Sequence, residues 1–170
     1  ANGVVGLWPA QSIGDDIRVY NEQGGELAVI NCLRQQVEKP AERPDFCLAD
    51  FIAPHDSGRK DWFGAFAVTT GLGCEQRACA FEAAHDDYNA ILLKSLADRF
   101  AEAFAECLHA KVRRQLWGYA GTENISNEDL IDEAYQGIRP APVYPACPDH
   151  TTKTTLFRLL NAPENCGMHL

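Results

Sequence analysis

The 170 residues are one domain's worth of chain, 46% apolar with three Trp, which is enough to bury an ordinary core and too apolar for a disordered segment. A net charge of −9 repels phosphate backbones and argues against nucleic acid as a partner. No apolar run approaches the roughly 20 residues that cross a bilayer, and no secretory leader pattern opens the chain.

The first part reads as strands. Val4 to Trp8 is an apolar run, and the stretch from Ser12 to Asp16 turns it into an alternating strand over Ile17–Tyr20. Asn21 to Gly25 is a second turn, followed by another alternating strand over Glu26–Arg34. The segment 38–45, with Pro40, Pro44 and several charges, is expected as an exposed loop. Phe46–Ile52 and Trp62–Thr70 are two further short apolar runs joined across Pro54–Gly58. Close turns between four or five short strands predict a mainly antiparallel, twisted sheet.

The second part reads as helices. Cys74–Ala84 is short, and a long helix follows over Asp86–Tyr119, roughly 50 Å at 1.5 Å per residue. Its apolar residues (Tyr88, Ile91, Leu92, Leu96, Phe100, Phe104, Leu108, Val112 and Leu116) form a slowly drifting stripe, suited to lying across a sheet. Lys111, Arg113 and Arg114 sit near its C-terminus, where the macrodipole favours cations. Ser126 and Asp129 have capping-box spacing for a third helix running to about Tyr135, and Thr152–Leu160 predicts a fourth. Strands first and helices after give an α+β fold, its sheet packed by the long helix and shorter ones. The expected division is a strand-rich part (1–70), a helical part (71–138), a proline strip (139–150) and a terminal helix (151–170).

Seven Cys is an odd number without disulfide-framework spacing, so a reducing, cytoplasmic setting is expected, with Cys32, Cys47 and Cys107 as small hydrophobes. His55, His85 and His109 read as surface or helix-face residues. No Ser/His/Asp or Cys/His pairing points to nucleophilic catalysis. No Gly-x-Gly loop follows a first strand; Gly71-Leu-Gly73 comes late and leads into helices, which argues against a nucleotide-type methyltransferase fold.

The composition changes abruptly at Arg139-Pro-Ala-Pro-Val-Tyr-Pro-Ala-Cys-Pro-Asp-His150. Each proline fixes its own φ and drives the preceding residue into extended space, so a stiff extended strip is expected. On composition alone it is either a surface linker or a preordered binding strip, in which Arg139 can grip a carboxylate and Tyr144 offers a flat face with a polar tip. Two Cys-x2-His pairs, Cys147/His150 and Cys166/His169, also have spacing that suits zinc. A docking role without a ligand, through the acidic surface, is the third reading.

The strip, with Tyr135-Gln-Gly-Ile before it, resembles the signature of the activation domain of cobalamin-dependent methionine synthase. Asp86-Asp-Tyr-Asn, the helix from Lys94-Ser-Leu-Ala-Asp-Arg-Phe, Val5-Gly-Leu-Trp-Pro-Ala, Cys47-Leu-Ala-Asp-Phe-Ile-Ala-Pro and Gly64-Ala-Phe-Ala-Val agree with it. The resemblance implies binding of S-adenosylmethionine: Arg139 at its carboxylate, Pro140, Ala141 and Tyr144 at the adenosine end, and Glu102 and Glu133 near the sulfonium. Asp98 is implied as a contact toward the cobalamin-binding domain. The implied reaction is reductive reactivation, in which inert oxidised cobalamin takes one electron from a flavodoxin-type donor and then the sulfonium methyl group. Cobalt is the nucleophile there, so no residue of this chain is expected to be catalytic, and no metal is expected to bind it.

Three departures bear on this. Position 143 is Val where the family signature has Gly; a later segment with an aromatic pair and an earlier one with an acidic contact have no counterpart here. The chain is therefore expected to be about half of the domain, and to bind S-adenosylmethionine weakly by itself.

Overall fold

In the computed structural model, which describes residues 1–40 and 43–170, the strand-rich part forms a four-stranded sheet in the order β3-β2-β1-β4. The strands are β1 (Asn2–Ile13), β2 (Asp16–Tyr20), β3 (Glu26–Asn31) and β4 (Asp61–Thr69). β1, β2 and β3 pair antiparallel, with Ile13 opposite Asp16 and Ile17 opposite Ile30. The first hairpin closes in two residues, with Gly14 at φ 60, the positive φ that glycine takes without steric cost. The second closes on Asn21, whose side-chain oxygen accepts from the amides of Gln23 and Gly25.

β1 is much longer than the Val4–Trp8 run, and it continues through Pro9. A proline cannot donate to a ladder, and pairing with β2 begins at Ala10, the next residue. β3 ends at Asn31, short of the expected Arg34. Arg34 instead forms ion pairs with Asp15 at 2.6 Å and Asp50 at 2.7 Å. Phe46–Ile52 is not a strand: Leu48–Phe51 is a turn of 3₁₀-helix, and Asp50 accepts from the Cys47 amide at 2.9 Å. Of the expected loop over 38–45, residues 41 and 42 lie outside the described residues. The remainder has no regular structure, and Lys39 pairs with Asp45 at 3.2 Å.

The helices are α1 (Cys74–Ala83), α2 (Asp87–Lys111), α3 (Asn127–Ile131), α4 (Thr152–Leu160) and α5 (Ala162–Cys166). The long helix starts as expected, with Asp86 capping the Asn89 amide, but its α-helical part stops at Lys111. One wider π-helical turn follows, Val112–Leu116, closed by the Trp117 amide on the Val112 carbonyl. α3 carries the expected Ser126–Asp129 capping box and is shorter than anticipated. α5 has no counterpart in the sequence reading.

The chain divides into two compact units. The first comprises Val5–Phe66, Arg139–Ala162 and Leu170. Its core is Ala10, Ile17, Val19, Ile30, Cys47, Ala49 and Phe63, against which Leu156 and Leu159 of α4 pack. The helix lying on this part of the sheet is therefore α4. The second unit comprises Ala1–Val4, Ala67–Ile138 and Pro163–His169. There α2 packs along α1, with Lys94 paired to Glu82 at 3.1 Å, and Phe104 and Leu108 close on Gly3. The upper part of the apolar stripe departs from expectation. Tyr88, Ile91, Leu92, Leu96 and Phe100 are exposed, Ile91 by 65% and Phe100 by 61%.

All seven cysteines are free thiols. Cys47 is buried as expected, and burial pushes the half-buried Cys32 thiol up to about 12. Cys107 is exposed, so its apolar neighbours in sequence do not make it a core residue.

Candidate ligand-binding site

The strip from Arg139 to His150 is not an extended strand. Tyr144 donates its amide to Ala141 O at 3.0 Å and Cys147 donates to Tyr144 O at 2.8 Å, so two tight turns follow one another. Val143 N then bonds Cys147 O at 2.8 Å and closes the pair into a compact loop. The prolines explain this once the turn register is known: Pro142 and Pro145 each occupy the second turn position, where a fixed φ near −65° is required. Proline pre-sets turns as readily as extended chain. The four-residue spacing of these bonds was the missing information.

Val143 is the third residue of the first turn and has φ 92. With Pro before it, this is the arrangement of a type II turn, which calls for glycine at that position. A β-branched side chain there is strained. The turn nevertheless closes, through the Tyr144 amide on Ala141 O, with the Val143 side chain half-exposed.

Arg139 and Pro140 are half-buried, while Ala141 and Tyr144 are exposed. Burial pushes the Arg139 guanidinium below its usual range, and the Tyr144 phenol partly opposes that shift. Cys147 is buried with its thiol 4.0 Å from the Thr152 hydroxyl, and burial pushes it up. Asp149 then turns the chain into α4, accepting from Thr151 N at 2.8 Å. Thus Arg139, Pro140, Ala141 and Tyr144 share one locally braced segment.

Asp98, Glu102 and Glu133 belong to the helical unit. Asp98 and Glu102 are exposed on α2, and Glu102 accepts from Arg99 at 2.8 Å one turn away. Glu133 has a more specific setting. Its amide bonds Leu130 O and the Ala134 amide bonds Asp129 O, which together close α3 in a Schellman motif. Glu133 occupies the left-handed position of that motif, φ 55, where glycine is usual.

A polar cluster that sequence reasoning missed lies in the same unit. Arg113 is completely buried and its guanidinium bonds both Glu123 oxygens, the shortest at 2.7 Å. It also donates to His109 Nδ1 at 2.8 Å and lies 4.2 Å from the centroid of the buried Tyr135 ring. Burial, then the Arg113 charge, holds His109 down at about 4, so the imidazole is neutral and Nδ1 accepts. The Arg113 guanidinium holds the Glu123 carboxyl below its usual range. The expectation that Arg113 serves the helix macrodipole and His109 faces outward is thereby corrected. Partners 10 and 22 residues later in the chain leave no periodic trace.

Among the described residues, no three His, Cys, Asp or Glu side chains are grouped so as to hold a metal ion. The zinc reading of Cys147, His150, Cys166 and His169 therefore has no support. Nor, among the described residues, is any helix long and apolar enough to cross a membrane.

The family model for the activation domain of vitamin B12-dependent methionine synthase matches residues 1–170. The chain belongs to that family. A crystal structure of the MetH reactivation domain bound to AdoHcy is 57% identical, with a TM-score of 0.92 over 99% of this chain. The chain spans 52% of the length of that relative. The α+β fold with its four-stranded antiparallel sheet is thus an activation-domain fold.

Proposed function

We propose that the chain is part of the S-adenosylmethionine-binding surface of a cobalamin-dependent methionine synthase, used to reactivate the enzyme. The observation that carries this reading is the double turn from Ala141 to Cys147, headed by Arg139, in a chain whose 57%-identical relative is described with AdoHcy bound. A guanidinium partly withdrawn from water, with a planar fork of donors, suits the ligand's carboxylate. The backbone at Pro140 and Ala141, with the exposed Tyr144 ring, suits the adenosine end. Glu102 and Glu133 are the carboxylates assigned to the positive sulfur. Asp98 is assigned to contact with the cobalamin-binding domain.

In this reading the chain's own residues perform no acid–base or covalent step. Arg139 and Tyr144 orient the ligand, and the two carboxylates lower the energy of the sulfonium without accepting a proton. Cobalamin, held by its own domain, would supply in its reduced form the nucleophile for the sulfonium methyl group. The electron required comes from a flavodoxin-type donor.

Crystals of the full-length gene product soaked in S-adenosylhomocysteine test the assignment. The expected result is density with the ligand's carboxylate on Arg139 and its adenosine against Tyr144. Ordered ligand elsewhere, with Arg139 uninvolved, overturns it.

A further inference from the structure

Glu133 is an unusual residue to find in the left-handed position of a Schellman motif. A glycine would close α3 with less strain, and residues held in such conformations persist where surrounding structure over-determines them. The surroundings that do so are identifiable. Two residues on, Tyr135 is buried, with its ring under the Arg113 guanidinium at 4.2 Å and edge-on to His109 at 4.8 Å between centroids. Arg113 cannot shift easily, because both Glu123 oxygens and His109 Nδ1 fix its fork. It projects from the π-helical turn, whose extra residue is closed by bonds from Trp117 and Gly118 to the Val112 carbonyl. A second tether follows immediately: the Tyr119 hydroxyl donates to Gln136 O at 3.3 Å. It also sits where a Cβ on Gly137 would be only 3.1 Å away, so the chain there is held close against that ring. Residues 135–137 are thus pinned on the far side of Glu133 from α3, while Glu133 itself remains exposed.

We infer that Tyr135, clamped by the buried Arg113–Glu123–His109 cluster, is a positioning residue that holds the Glu133 carboxylate for a sulfonium ligand. This rests on the assignment of Glu133 proposed above. The cluster touches no ligand; it acts by fixing the backbone that carries the carboxylate. Burial raises the Tyr135 phenol, and the Glu133 charge adds to that shift, so the two side chains lie close enough to feel one another.

Selectivity between S-adenosylmethionine and S-adenosylhomocysteine tests this in the full-length gene product. The two ligands share carboxylate, amine and adenosine, and differ in the methyl group and positive charge that Glu133 would sense. Glu133→Gln is expected to lower the ratio of their affinities about 10-fold, the scale of one charge-assisted contact. Tyr135→Leu is expected to lower that ratio at least about fivefold, with S-adenosylhomocysteine affinity within about twofold of the parent, and to have no further effect on the ratio in the Glu133→Gln background. Equal loss for both ligands, or a full effect of Tyr135→Leu in the Glu133→Gln background, overturns the positioning role. An unchanged ratio in Glu133→Gln alone overturns the assignment of Glu133 beneath it, and the positioning role with it. Should Tyr135→Leu fail to fold, Glu123→Gln loosens Arg113 while keeping a hydrogen-bond partner, and a ratio lowered about threefold is then expected. No change in that variant overturns the inference.

Discussion

Val143 holds a backbone conformation that glycine adopts without cost, in the turn beside the proposed ligand site. Strain of this kind amounts to about 1–3 kcal/mol, whereas glycine's extra freedom in the unfolded chain costs about 0.4–1 kcal/mol. Relief of strain wins. Val143→Gly is expected to stabilise the protein by about 1 kcal/mol, read as a higher urea midpoint at unchanged slope. A lower midpoint would mean that the turn carries no strain. His109 makes a second prediction at this scale. Its folded pKa of about 4 lies below its ordinary value of 6.5, so between those values the unfolded chain binds a proton that the folded chain refuses. Its contribution to stability is complete above about pH 6.5 and is lost as the pH falls toward 4. Glu123, held low by Arg113, adds loss at the acid end of the same window. Urea titrations at pH 7 and 4.5 are expected to show a fall smaller by roughly 1–2 kcal/mol in His109→Gln than in the parent. Equal falls would contradict a neutral, buried imidazole.

Among the elements, α2 carries the least satisfied surface. Its lower part is covered at Phe104 and Leu108, but Tyr88, Ile91, Leu92, Leu96 and Phe100 form an exposed apolar row. Rows of this kind mark interaction surfaces. The 170-residue chain purified alone is expected to associate at micromolar concentration. Ile91→Lys with Phe100→Lys is expected to leave it monomeric, with stability changed by less than about 1 kcal/mol since both positions are exposed. Sedimentation decides, and a monomeric parent would contradict the expectation.

Elements set by local chemistry were legible in the sequence. The turn over Asn21–Gly25, the capping box at Ser126, the Asp86 start of α2 and the whole of α4 follow from residues within a few positions of one another. Elements that depend on distant partners were not. The apolar run at Phe46–Ile52 reads as a strand, and it becomes a 3₁₀ turn because Asp50 reaches back to the Cys47 amide and out to Arg34. The stripe on α2 correctly marked an amphipathic helix, but periodicity does not say what covers it. In the proposed site the same division holds. The proline content announced a preordered strip, its turn register did not follow from it, and the Arg113 cluster behind Glu133 was silent because its members are scattered along the chain.

For the whole molecule, Arg139 to Tyr144 belong to one compact unit and Glu102 and Glu133 to the other. Membership in the activation-domain family and the shared fold rest on the full length of the chain, which spans about half of the 57%-identical relative. The central claim is narrower: Arg139 heads a braced double turn that binds the carboxylate of S-adenosylmethionine. Calorimetry on the full-length gene product and its Arg139→Met variant tests it most directly. A bidentate charge-assisted contact is worth about 1.5–3 kcal/mol, so the variant is expected to bind S-adenosylmethionine at least about 10-fold more weakly at unchanged thermal stability. Equal affinity in the two proteins would contradict the claim.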